Sequence, residues 1–268
     1  MKDLIILKIG GSVFACKDSD KPKIDQKALE RICREIGNAH SKIKEKSSLI
    51  IVHGAGSYGH LIVKRTGIDK GIKNNEDLLA LAETQRLQNE LNLIVTKELA
   101  KNGIPAFPFQ SSDHAVMSAG ALKSMSVDAI AGMLKIGLTP VAYGVPAYDE
   151  KQGCSILSGD QIAPYLAQHL KTKKIIHATD VDGVYTADPK MDRNAKLIPE
   201  ITSKNFDKIK AGLSGSVSTD VTGGMLKKVT GLIALTEKGA ESQIINGTRI
   251  GFVEKALLGE VFGTTIRR

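Results

Sequence analysis

Apolar and polar positions along this chain follow two periods, one typical of buried strands and the other of amphipathic helices. Short apolar runs bounded by turn residues predict strands, and apolar positions spaced three or four apart predict helices. The predicted strands are residues 4–9, 49–52, 106–109, 139–143, 174–178 and 242–245. The predicted helices are residues 25–39, 76–101, 127–136, 158–170, 224–238 and 252–258.

The order of these segments predicts the fold class. Strands that alternate with helices are typical of a mostly parallel sheet that helices cover on both faces. We therefore expect a three-layer α/β/α sandwich with a mostly parallel central sheet. Residues 1–268 contain no internal repeat and no low-complexity linker. A single domain whose two halves act as lobes around a cleft is the expected organisation. Ser158 and Gln161 have the spacing of a capping box at the start of one predicted helix.

Charge and cysteine content narrow the class of protein. The net charge is +8, but only 4% of residues are aromatic, tryptophan is absent, and the basic residues are dispersed. This pattern favours small anionic ligands over nucleic acid. No apolar run reaches the roughly 18 residues of a membrane span, and the first residues do not resemble a secretory signal. Cys16, Cys33 and Cys154 form no C-x-x-C pair, which is typical of reduced cytoplasmic thiols.

Three glycine-rich turns lie next to predicted strands or helices. They are KIGGS at residues 8–12, HGAGSYGH at residues 53–60 and DVTGGMLKK at residues 220–228. Glycines allow backbone N–H groups to approach phosphate oxygens, and a helix N-terminus adds roughly half a positive charge. Ligands of open α/β sheets bind beyond the carboxyl ends of the strands. The three turns are therefore expected to converge on one anion-binding cleft.

The second turn also matches the dinucleotide-binding pattern G-x-G-x-x-G, but its surroundings do not. A dinucleotide fold needs an acidic residue after a second strand, about 20 residues further on. Residues 61–77, LIVKRTGIDKGIKNNED, place their acids mainly where the next helix begins. A Walker A loop and the H-R-D and D-F-G motifs of protein kinases are also absent from the sequence.

Three motifs together resemble the amino acid kinase family. KIGGS, TDVDGVYTADPK at residues 179–190 and DVTGGMLKK occur in the family's order, and the similarity extends from residue 8 to residue 264. Within that family, Lys17, nine residues after Lys8, and the glycine loop ending in His60 resemble isopentenyl phosphate kinases and the related fosfomycin kinase. The segments at residues 156–160 and 257–260, with Gly263 and Thr264, resemble isopentenyl phosphate kinases in particular. Val145 departs from this pattern, because that subfamily usually has an aspartate there.

The resemblance implies a reaction and its participants. We expect ATP-dependent phosphoryl transfer to isopentenyl phosphate, giving isopentenyl diphosphate and ADP. The alternatives are a kinase of another small phosphate or phosphonate, such as fosfomycin or UMP, and a nucleotide-binding regulatory or storage protein without turnover. Mg²⁺ is expected to accompany ATP and to be held mainly by phosphates, with no metal site of protein ligands. A two-fold homodimer, free of nucleic acid and membrane, is the expected assembly.

The resemblance also implies roles for particular residues. Lys8 and Lys228 would hold oxygens of the transferred and β-phosphates, Lys17 would bridge acceptor and donor, and Asp160 would orient the lysines. His60 would donate a hydrogen bond to the acceptor's phosphate rather than act as a base. The substrate-binding candidates are Ala55, Gly59, His60 and Gly159. The nucleotide-binding candidates are Gly10, Gly11, Ser12, Gly56, Asp180, Tyr185, Asp188, Gly223 and Gly224.

An isoprenoid-like acceptor would also need an apolar pocket. The candidates for its lining are Ile62, Val63, Leu79, Ala82 and Val116. Each of these residues fits a place in the ordinary hydrophobic core better.

Overall fold

The computed structural model describes residues 2–16, 19–189, 191–214 and 224–268. The helices are α1 Gln26–Ile43, α2 Ser57–Thr66, α3 Asn75–Lys101, α4 Asp128–Lys135, α5 Gly159–His169, α6 Phe206–Ser214, α7 Gly224–Thr236 and α8 Phe252–Leu257. Short 3-10 helices are formed by Gly11–Val13, Ile68–Lys70 and Ser111–His114. The strands are β1 Asp3–Ile9, β2 Ser47–His53, β3 Ala106–Pro108, β4 Ala115–Ser118, β5 Ala121–Met125, β6 Thr139–Tyr143, β7 Val145–Asp149, β8 Gly153–Leu157, β9 Lys174–Thr179, β10 Val184–Tyr185, β11 Leu197–Ile198, β12 Glu200–Ile201, β13 Glu241–Asn246 and β14 Thr264–Ile266.

The expected mostly parallel central sheet is confirmed. Its eight strands lie in the order β12-β14-β13-β9-β1-β2-β6-β3. All neighbouring pairs are parallel except β13 and β14, which run antiparallel. Strand β1 therefore lies between β2 and β9, near the middle of the sheet. The carboxyl ends of these central strands share one edge.

Alternate residues of β1 face the two helical layers, because side chains of a strand point to opposite faces in turn. Leu4 and Ile6 pack in a core with residues of α4, α5 and α7. Ile5, Leu7 and Ile9 pack in a second core with residues of α1, α3 and α8. The sheet is thus buried on both faces, which explains the nearly continuous apolar run of β1.

Each segment predicted from periodicity forms an element of the predicted type. Helix α1 begins where predicted, because the Asp25 side chain accepts a hydrogen bond from the Ala28 backbone N–H at 3.0 Å. The capping box predicted at α5 is wrong. Ser158 caps the helix without a side-chain hydrogen bond, and the Gln161 side chain instead accepts from the Leu122 backbone N–H at 2.8 Å.

A second, four-stranded sheet is an addition that periodicity did not predict. It has the order β5-β4-β7-β8. Asp149 is buried at the end of β7 and accepts the backbone N–H groups of Ala119 and Gly120 at 3.0 and 2.8 Å. Although burial alone would raise it, these backbone donors bring the pKa of Asp149 below its usual range. Val145, the residue that departs from the subfamily pattern, is buried at the start of β7.

Within the described ranges, no helix combines the length and apolar character that crossing a bilayer requires.

Candidate active site

Two of the predicted glycine turns touch each other through their backbones. Gly10 and Gly11 follow β1, and Gly54 follows β2, the next strand in the sheet. A Cβ atom added at Gly11 would lie 2.4 Å from the backbone nitrogen of Gly56, and one at Gly54 would lie 2.5 Å from that of Gly11. Any larger residue would push the turns apart. Glycine is required at both positions for this close approach of the two backbones.

The second turn leads directly into α2, which was not among the predicted helices. Gly56 is the N-cap residue and has a φ of 51°, a conformation that favours glycine. His60 lies in the first turn of α2, where its backbone N–H bonds to the Gly56 carbonyl at 3.1 Å, and its side chain is exposed. Gly59 is buried, and Ala55 is partly buried beside it. The exposed His60 therefore stands at a helix N-terminus, where anions are favoured.

Strand alternation directs Lys8 toward the layer of α5 and α7, because Lys8 shares the orientation of Ile6. Its side chain is only 8% exposed, and its Nζ lies 2.9 Å from Oδ1 of Asp160 in the first turn of α5. Gly159 lies next to this ion pair, and a Cβ atom there would lie 3.4 Å from the Cε of Lys8. The structure thus brings Lys8 together with Asp160, which was predicted from a separate segment of the chain.

Lys228 reaches the same carboxylate from α7. Its Nζ is 3.8 Å from Oδ1 of Asp160, and its side chain is 12% exposed. Burial raises the pKa of Asp160, but nearby Lys8, His177 and Lys228 outweigh that effect and bring it well below the usual range. Asp160 therefore stays a carboxylate at neutral pH and is a poor proton acceptor.

His177 in β9 is a member of this cluster that the sequence did not indicate. Its Cα is the register partner of Lys8, and its Nδ1 lies 3.7 Å from Oδ1 of Asp160. Burial lowers the pKa of His177 to about 4, so its imidazole is neutral at neutral pH. No spacing motif could have revealed it. The signal would have been its position in β9, combined with the knowledge that β9 lies beside β1.

The carboxyl ends of β9 and β13 lie at the same edge of the central sheet as that of β1. The Gly10 N–H bonds to the Ala178 carbonyl, and the Gly247 N–H bonds to the Thr179 carbonyl, both at 2.8 Å. Asp180, a predicted nucleotide-binding residue, directly follows β9 and is partly buried.

The next predicted residues lie further along this loop. Tyr185 in β10 bonds through its hydroxyl to Asp182 at 3.4 Å, and Asp182 also accepts from Asn246 at 2.9 Å. Asp188 lies in the following turn, where its carbonyl accepts the Asp192 N–H at 2.8 Å. The residues predicted to lie near the adenosine therefore belong to a loop tied to the end of β13.

Two predicted residues, Lys17 and Gly223, lie outside the described residues. Gly224 is the first residue of α7, and Ser12 lies in the 3-10 helix Gly11–Val13. Of the third predicted turn, the structure therefore describes the part from Gly224, where α7 begins, to Lys228. Among the described residues, no group of three or more His, Cys, Asp and Glu side chains could hold a metal ion.

The assignment of the apolar candidates to the core is wrong for two of them. Ile62 is buried, and Val63 and Val116 are partly buried. Leu79, however, is 65% exposed, and Ala82 is also exposed. The reason lies in the first turns of α3, where the inward position belongs to Asp77. Its carboxylate accepts the Lys73 backbone N–H at 2.8 Å, so the leucine two positions later faces outward.

The charges and helix termini at this edge of the sheet are suited to a polyanionic ligand. Two nearly buried lysines and the N-termini of α2, α5 and α7 all favour negative charge. Asp160 keeps both lysines on one carboxylate. With the pKa values of Asp160 and His177 both lowered, the described part of the lysine cluster suits charge stabilisation rather than proton transfer.

The sequence and the fold of this chain are both similar to those of known proteins. The family model described as the amino acid kinase family matches residues 3–246. Isopentenyl phosphate kinases of Methanothermobacter thermautotrophicus and Methanocaldococcus jannaschii are 44% and 40% identical, each covering 98% of this chain and 98% of the relative. A solved isopentenyl phosphate kinase structure superposes with a TM-score of 0.84 at 40% identity, over 98% of this chain and 99% of the other.

Proposed function

This chain belongs to the amino acid kinase family, and from that premise we propose that it transfers the γ-phosphoryl group of ATP to isopentenyl phosphate. The products are isopentenyl diphosphate and ADP. The observation that carries the proposal is the cluster in which Lys8 and Lys228 share the Asp160 carboxylate at 2.9 and 3.8 Å beside the glycine turns.

The main obstacle in such a reaction is repulsion between two anions. A phosphate monoester has a second pKa near 6 and is mostly dianionic at neutral pH, so the acceptor needs no general base. Each pair of unit charges 4 Å apart costs about 4 kcal/mol at an effective dielectric constant of 20. Phosphoryl transfer is therefore catalysed mainly by positioning and by charge stabilisation. Two nearly buried lysines and several helix N-termini meet this need.

Each charged residue has a separate task in this proposal. Lys8 and Lys228 hold the oxygens of the transferred phosphoryl group and of the β-phosphate. Lys17, outside the described residues, bridges acceptor and donor. Asp160 keeps the ammonium groups oriented, which its lowered pKa supports because it remains charged at neutral pH.

The two halves of the chain divide the substrates in this proposal. The turn with Ala55, Gly59 and His60 holds the acceptor in the N-terminal lobe, and Gly159 lies between the acceptor and Lys8. Gly10, Gly11, Ser12, Gly56, Gly223 and Gly224 surround the ATP phosphates, and Asp180, Tyr185 and Asp188 lie near its adenosine in the C-terminal lobe.

Mg²⁺ is proposed to enter this site together with the nucleotide. Asp160 is held by two lysines, and the described residues offer no cluster of acidic, histidine or cysteine ligands. The phosphate oxygens would supply most of the ligands of Mg²⁺, and the ion would add positive charge beside them.

His60 is proposed to select the acceptor. We expect His60→Ala to raise the KM for isopentenyl phosphate about 10- to 100-fold, because a hydrogen bond to a charged group contributes roughly 1.5–3 kcal/mol. The KM for ATP should change little. Steady-state kinetics with each substrate varied in turn measures both constants. His169→Ala, at the exposed end of α5, is the matched control. An equal rise of both constants in His60→Ala would indicate a general structural role instead.

The proposed reaction is tested by ADP release from ATP and Mg²⁺ with a panel of acceptors. The panel contains isopentenyl phosphate, dimethylallyl phosphate, UMP, fosfomycin and acetylglutamate. We expect the highest kcat/KM with isopentenyl phosphate. Turnover of UMP or fosfomycin alone would assign another acceptor, and tight ATP binding without turnover of any acceptor would favour a regulatory or storage role.

Assembly and location are proposed on separate observations. Leu79 and Leu93 are 65% and 59% exposed and lie on one side of α3, and Phe107 is 40% exposed on β3 at the edge of the sheet. These exposed apolar side chains support a homodimer, which a sedimentation measurement of the mass would test. Cys16, Cys33 and Cys154 are all free, which supports a reducing cytoplasmic environment.

A further inference from the structure

His177 is a polar residue in a place where burial has a cost. Its side chain is fully buried, between register partners Lys8 of β1 and Ile244 of β13. Neither of its ring nitrogens has a hydrogen-bond partner among the residues that the structure describes. Buried polar atoms without partners are rare in native proteins, because each loses its hydrogen bonds to water. Such an exception requires an explanation.

Within the described part of the chain, the acidic oxygen close to the ring is Oδ1 of Asp160, which lies 3.7 Å from Nδ1. This distance is too long for a hydrogen bond, but a shift of less than about 1 Å would form one. The charged groups that act on His177 are Asp160, Lys228 and Lys8. Because burial and the two lysines keep the ring neutral, it carries one N–H, and that N–H can face only one partner.

The lysine cluster must rearrange when a polyanion binds. In the structure, Lys8 holds Oδ1 of Asp160 at 2.9 Å and Lys228 lies at 3.8 Å. If the ammonium groups turn toward phosphate oxygens, the carboxylate loses part of its compensation and is drawn after them. A neutral donor behind it restores a hydrogen bond without adding charge to the cluster.

We propose that His177 is a positioning residue for the phosphoryl transfer proposed above: its Nδ1–H holds the Asp160 carboxylate in place while Lys8 and Lys228 engage the phosphates. The proposal rests on that proposed function. It explains why a histidine occupies a buried position that an apolar residue would fill more stably. In this proposal His177 acts through Asp160 and touches neither substrate.

The test compares His177→Leu, which removes the donor, with His177→Asn, whose side-chain N–H₂ lies near the position of Nδ1. We expect His177→Leu to lower kcat about 10- to 100-fold, because loss of alignment at the reacting centre has effects of that size. Its KM values should stay within about threefold, and its Tm should equal or exceed that of the wild type. His177→Asn should recover most of kcat.

Three outcomes would overturn the proposal. They are a wild-type kcat in His177→Leu, an equal loss of kcat in both variants, and a loss of kcat that only follows a lower Tm. If His177→Leu does not fold, His177→Gln replaces it, since its amide lies nearer the position of Nε2. The expected order of kcat is then Asn above Gln, and equal values would overturn the proposal. If the wild type uses another acceptor, the proposed function fails, but the same comparison applies with that acceptor.

Discussion

Replacing Lys8 with methionine is expected to lower kcat about 100- to 1000-fold, the size of effect seen when one donor that stabilises transition-state charge is removed. Methionine has nearly the length of lysine and suits a side chain that is 8% exposed, so the fold should persist. The charge that offsets repulsion between donor and acceptor would be lost. Because this loss acts mainly in the transition state, kcat should fall more than either KM rises.

Lys173→Met is the matched control for this prediction. Lys173 also forms an ion pair with an aspartate at 2.9 Å, here Asp3, but its side chain is 75% exposed. Asp3 begins β1 and Lys173 directly precedes β9, so this pair lies at the opposite ends of the strands that carry Lys8 and His177. We expect wild-type kinetics for the control. A kcat within threefold of the wild type for Lys8→Met would contradict the role given to Lys8.

Replacing Asp160 with asparagine is expected to reduce both kcat and the stability of the nucleotide-free protein. Two lysines and a neutral His177 would remain around an uncharged amide. Removing one partner of a fully buried ion pair costs roughly 3–5 kcal/mol. The Asp160 side chain is 37% exposed, so solvent screening should reduce the loss to roughly 2 kcal/mol. We expect kcat to fall at least about 100-fold, because the lysines lose their orientation.

The same variant should gain more stability from ATP than the wild type does. The phosphates would replace the missing carboxylate between the two cations, and a ligand that binds only the folded state stabilises it according to its affinity. Unfolding in urea, with and without ATP and Mg²⁺, measures the difference. Asp3→Asn provides the exposed control, with a wild-type response to ATP expected. An equal gain from ATP in Asp160→Asn and the wild type would argue against phosphates taking the place of the carboxylate.

Six strands of the central sheet, six of the helices and the glycine turns could be predicted from the sequence because their signals are local. The apolar runs of β1 and β2 follow from strands buried on both faces, and Asp25 marks the start of α1. The turns around Gly11 and Gly54 were predicted to approach a phosphate, and their mutual contact now gives an additional reason for glycine at both positions.

Other features depended on which segments become neighbours. Gln161 had the spacing of a capping box, yet its side chain in α5 accepts a hydrogen bond from the backbone N–H of Leu122 in the four-stranded sheet. Leu79 appeared suited to the core, but Asp77 takes the inward position of that turn and leaves the leucine exposed. In both cases a partner distant in sequence, or a competing neighbour, outweighed the local pattern.

By itself, the sequence determined the alternation of strands and helices, the position of the glycine-rich turns and the presence of Lys8, Asp160 and Lys228. Only the tertiary structure decided that the two lysines meet on the Asp160 carboxylate and that His177 lies behind it. The physical reason is that periodicity and turn chemistry act over a few residues of the chain. The order β9-β1-β2, by contrast, arises from the packing of segments far apart in sequence, and it alone makes Lys8 and His177 neighbours.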